Sequence, residues 1–86
     1  MKLNNFQNYN NMDKNDFLAN FAEQFEETDP CEIQFDTKYH ELDEWSSLTG
    51  LLVIGMVLDK YGKNLKADDV RNGVTIEDLY NIVNSL

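Results

Sequence analysis

The sequence predicts an all-α fold: a small helical bundle with three principal helices and one short one. Three observations carry this. Apolar residues recur at helical spacing in three stretches, around 17–25, 48–58 and 76–86. Residues suited to capping a helix stand at the head of each, namely Asp13, Ser46 and Thr75. The chain of 86 residues is long enough for one compact domain and no more. A chain of this size buries roughly 60–65% of its unfolded surface, so the core is modest and leaves no room for a deep catalytic cleft.

Residues 1–12 are Asn-rich and without periodicity; they read as a flexible tail, with the domain spanning 13–86. The first helix starts near Asp13, with Asp16 adding negative charge in its first turn. Phe17, Leu18, Phe21, Ala22 and Phe25 then share one face, and Glu26 to Pro30 end the helix. Residues 28–45 form a long connection with apolar anchors at Ile33, Phe35, Tyr39, Leu42 and Trp45, and a turn of helix is expected near Thr37–Leu42. The second helix starts at Ser46–Ser47 and runs to about Tyr61, where Gly62 supplies a left-handed stop. It is apolar nearly all round, which means burial or a partner on its second face. Asp68 is the expected cap of a short third helix, Asp69–Asn72, closed by Gly73. Thr75-Ile76-Glu77-Asp78 fits a capping box, and Ile76, Leu79, Val83 and Leu86 form the stripe of the fourth helix.

The net charge of −9 argues against nucleic acid, whose phosphates require Lys and Arg, and suits partners with basic patches. Residues 13–46 hold eleven acids and two lysines, so the negative field is concentrated ahead of the second helix. The single cysteine, Cys31, has no internal partner, which favours a reducing compartment. No basic-then-apolar leader opens the sequence, and the longest apolar stretch, Leu51–Leu58, is too short to span a bilayer. A soluble, cytoplasmic protein without membrane insertion is expected. One His and one Cys make neither a metal site nor a nucleophile–base pair, and Ser47 lacks the glycine-flanked elbow of a hydrolase serine. An enzyme is therefore not expected.

Glu41-Leu42-Asp43-Glu44-Trp45-Ser46-Ser47-Leu48, the long apolar helix ending at Tyr61-Gly62, and Val74-Thr75-Ile76-Glu77-Asp78-Leu79 together resemble the acyl carrier protein family over roughly residues 13–84. The family's signature is Asp-Ser-Leu at the start of its second helix. The resemblance implies that Ser47 carries a covalent 4′-phosphopantetheine arm, attached from coenzyme A by a separate transferase that uses magnesium. It implies a monomeric, stand-alone carrier of acyl thioesters in fatty-acid, polyketide or related biosynthesis. Its partners would be that phosphopantetheinyl transferase and acyl-transferring enzymes. An aminoacyl or peptidyl carrier shares the same few residues, and an unmodified carrier-like interaction module is the competing class.

Two departures from the family pattern stand out. Ser46 occupies the position of the usual Asp; it keeps the cap but removes a charge that a transferase would meet, and it places two serines side by side. Ser47 fits the signature because Leu48 follows it. The second helix also carries a single acid, Asp59, where carriers show several. Leu48, Leu51, Leu52, Gly55 and Leu58 are thus candidate partner-facing or cargo-facing positions, and Ser46 a partner-facing one, core packing being the alternative for all five helix positions. Gly55 in mid-helix costs roughly 1 kcal/mol against Ala, so close approach by a partner or another helix is the expected reason for it.

Overall fold

Asp13 caps the first helix: its carboxylate accepts the Asn15 N–H at 2.9 Å, as an N-cap should. The computed structural model describes residues 12–86, and the fold is all-α. Helix α1 spans Lys14–Ala22, and stops short of Phe25. Turn bonds from Gln24 N–H to Phe21 and from Phe25 N–H to Ala22 continue the path, so Phe25 still reaches the core beside Phe17 and Phe21. Pro30 does not end α1 but opens a separate 3-10 turn, Pro30–Glu32, capped by the Asp29 carboxylate.

The long connection is not free. Ile33 and Tyr39 are fully buried, a second 3-10 turn covers Tyr39–Glu41, and Phe35, Leu42 and Trp45 pack partly against the core. Its backbone also serves helix α4, which spans Ile76–Ser85. The Thr37 and Phe35 carbonyls accept the N–H groups of Ile76 and Glu77 at 3.1 and 3.0 Å, two donors that a helix start leaves without internal partners. Thr75 and Asp78 complete the cap: the Thr75 hydroxyl accepts the Asp78 N–H, and the Asp78 carboxylate accepts the N–H groups of Val74 and Thr75.

Helix α2 spans Ser47–Tyr61 and ends at Gly62, whose φ of 66° is the left-handed conformation that favours glycine. Thr49, Gly50, Val53, Met56 and Val57 form its buried face. Helix α3 spans Ala67–Asn72 and starts two residues before the predicted position. Asp68 is not its cap. Lys66 holds that place, and its N–H donates to the Asp69 carboxylate at 3.2 Å.

Two further corrections fall at the ends of the chain. Leu86 is half exposed and lies off the core stripe of α4; Tyr80 takes a place in that stripe beside Ile76, Leu79 and Val83. Met12, read as tail, is packed in the core, and its carbonyl accepts the Tyr80 hydroxyl at 2.7 Å. The remainder of the expected tail, residues 1–11, lies outside the described residues. Among the described residues no helix is long and apolar enough to cross a membrane.

Candidate functional site

The start of α2 separates the two adjacent serines. Ser46 has extended backbone (φ −160°, ψ 177°) and is the N-cap. Its N–H donates to the Thr49 hydroxyl at 2.6 Å, and its own hydroxyl receives the Thr49 N–H at a long 3.4 Å. The Thr49 hydroxyl can in turn donate to the Ser46 carbonyl at 2.9 Å. Ser46 is thus engaged in holding the helix end. Ser47 is the first helical residue, is exposed, and its hydroxyl makes no hydrogen bond among the described residues.

Ser46 and Ser47 open onto a cleft of about 530 Å³ between α2 and α3. Its apolar surface comes from Trp45, Gly50, Leu51, Ile54, Ala67 and Val70, and His40 and Arg71 supply its remaining polar groups. Trp45 is held in an aromatic string, 4.8 Å from Tyr39, 5.4 Å from His40 and 6.3 Å from Phe25 between ring centroids. Gly50 lets the indole lie close to the helix: a Cβ there would stand 3.5 Å from the ring.

The outer face of α2 is a second surface. Leu48, Leu51, Leu52 and Leu58 are 66, 63, 43 and 53% exposed, and Gly55 lies open between them. Their spacing of i, i+3, i+4, i+7 and i+10 makes one stripe along the helix. Among the described residues nothing lies within 4 Å of where a Gly55 Cβ would be, so no other described helix explains that glycine. Leu51 alone belongs to both surfaces, edging the stripe and lining the cleft.

The segment leading into Ser46 is clamped by Glu44. Its carboxylate accepts the N–H groups of Glu26, Glu27 and Thr28 at 2.7, 3.0 and 2.9 Å, and the Thr28 hydroxyl at 2.7 Å. The Thr28 hydroxyl, followed by those backbone donors, holds the Glu44 carboxyl below its ordinary range. Tyr39 anchors the same segment from beneath: its hydroxyl donates to the Val70 carbonyl, and burial, with the Asp78 charge, pushes its ionisation up.

Cys31 is exposed, and the neighbouring Asp29 raises its thiol away from the reactive thiolate form. Among the described residues no cluster of His, Cys, Asp or Glu could hold a metal ion. The sequence pointed to Ser46, Ser47 and the leucine stripe as candidates, but not to Ala67, Val70 and Arg71, which form the far wall of the cleft. Those residues lie about twenty positions from Ser47, and only the packing of α3 on α2 brings them there. Compared with known proteins, the chain matches no family model, and no curated protein or solved structure matches it significantly.

Proposed function

We propose that this protein is an acyl carrier whose Ser47 bears a 4′-phosphopantetheine arm. One observation carries the reading: of two adjacent serines at a helix start, the one in the signature register has an exposed, unengaged hydroxyl at the mouth of an apolar cleft. The residues fit the group. The cleft is lined mostly by apolar side chains, and no carboxylate lines it to repel a phosphate. Ser47 would supply the oxygen at which the arm is attached: its Oγ–P bond would form as the P–O–P bond of coenzyme A breaks, with 3′,5′-ADP leaving and the hydroxyl proton passing to a base on the transferase. When bound, the arm supplies a thiol on which cargo is held as a thioester. A flexible tether of this kind raises the effective concentration of its cargo at each docked enzyme.

The leucine stripe is the proposed docking face for the transferase and for acyl-transferring enzymes. Full burial of a leucine contributes roughly 1.5–3 kcal/mol, so four half-exposed leucines offer about 3–6 kcal/mol before the cost of association. That suits a partner that docks and leaves rather than a permanent dimer. The same stripe favours a second reading, an unmodified module that binds partners through α2 alone.

Intact-mass measurement separates the two. Incubation with coenzyme A, magnesium and a phosphopantetheinyl transferase is expected to add one arm to the wild type and to Ser46→Ala, and none to Ser47→Ala. Modification that survives Ser47→Ala and disappears in Ser46→Ala would move the site by one residue. No modification of the wild type would leave the interaction module.

A further inference from the structure

The cleft beside Ser47 inverts the charge of the rest of the chain. Sixteen acids and seven bases make the molecule −9, yet no Asp or Glu lines the cleft, whereas Arg71, the chain's single arginine, does. Arg71 stands on α3, the wall across from the start of α2. Its ion-pair partner among the described residues is Asp68, three positions earlier on the same short helix. Both side chains of that pair are largely exposed, at 68 and 74%. A pair so open to water contributes little, so the guanidinium can exchange it for another anion at small cost. A planar guanidinium is also the side chain best shaped to hold a phosphate by two parallel N–H bonds. At the start of α2 the Thr49 N–H is already turned, at 3.4 Å, toward the Ser46 hydroxyl.

We propose that Arg71 is the counter-ion of the phosphodiester carried on Ser47. It draws the arm across the mouth of the cleft, so that the chain of the arm lies over Trp45, Leu51, Ile54 and Val70. This inference rests on the carrier reading of Ser47. Arg71 is a positioning residue: it binds the arm and takes no part in its attachment.

The test uses the full chain with the arm attached, with phosphorus NMR and the alkylation rate of the arm thiol by neutral iodoacetamide as readouts. In the wild type the phosphodiester resonance is expected to be displaced from that of a phosphopantetheinylated serine peptide, and the displacement is expected to shrink as salt rises. Arg71→Gln should return the resonance to the peptide value and raise the alkylation rate about two- to fivefold. Arg71→Lys keeps the charge without the fork and should fall between. Asp68→Asn frees the guanidinium and should enlarge the displacement. If the arm attaches but Arg71→Gln and Arg71→Lys leave resonance and rate unchanged, the inference fails and the carrier reading stands. If Arg71→Gln acts only when the arm bears an acyl group ending in a carboxylate, the anion is the cargo's and the phosphate assignment is overturned. If the wild type accepts no arm, the carrier reading falls and this inference with it.

Discussion

Ser46 and Ser47 differ by one position and by the company their hydroxyls keep: one closes a capping box, the other faces solvent beside a cleft. The same dependence on immediate neighbours explains Gly73. The sequence marks it as a helix stop, but its φ is −69°, which any residue adopts. The reason for glycine is space. A Cβ there would stand 2.6 Å from the Tyr39 hydroxyl and 3.3 Å from the Asp69 carbonyl. Tyr39 is fully buried and bonded to the Val70 carbonyl, so it has nowhere to retreat. Gly73→Ala is expected to destabilise the fold by about 1–3 kcal/mol, the usual range for overpacking. Tyr39→Phe in the same chain removes the clashing oxygen and should recover part of the loss. A thermal-melt double-mutant cycle with strictly additive effects would refute that account. Because the contact joins residues 34 positions apart, no local pattern in the sequence exposes it.

Helix α2 is apolar on an inner and an outer face, and its sequence alone does not tell which residues lie on which. The pattern gives the start at Ser47, the stop at Gly62 and the need for two destinations. Only the packing of α1, α3 and the long connection decides that Val53, Met56 and Val57 go inward while Leu48, Leu52 and Leu58 stay out. Leu52→Glu and Leu58→Glu are therefore expected to leave helical content and melting temperature nearly unchanged and, on the proposed carrier reading, to impair transfer with a cognate enzyme. A core position would respond oppositely, since an unpaired buried carboxylate is severely destabilising. Gly55→Ala is the companion variant. With open space at its Cβ, it should stabilise the protein by about 0.5–1 kcal/mol through helix propensity. A large fall in melting temperature in both glutamate variants would overturn the proposal of a docking face.

At the scale of the molecule, the fold is tied together by polar clasps between segments distant in sequence. Glu44 joins the exit of α1 to the entry of α2 through four hydrogen bonds. Its ionisation lies below the ordinary glutamate range in the folded chain, chiefly through the Thr28 hydroxyl. A depressed carboxyl stabilises the fold fully above its unfolded value, and that contribution is lost as pH falls through the folded one. Wild type should thus lose melting temperature on acidification, whereas Glu44→Gln should start lower near neutrality and fall less steeply. Melting curves for Glu44→Gln that track the wild type across this range would show that the clasp carries no stability. The helices and their caps were legible because they are written in short windows: Asp13, Ser46 and the Thr75–Asp78 box. The start of α3, the clasp and the far wall of the cleft were not, because each depends on which distant segments meet. One consequence is optical. Trp45 is the sole tryptophan of the chain; it touches the exit of α1 through Phe25, the long connection through Tyr39 and His40, and the cleft beside Ser47. Fluorescence excited selectively in the indole band therefore arises at a single known point. The native protein carries a label-free probe, in which a red shift reports loosening of the assembly and quenching or a blue shift reports a guest in the cleft.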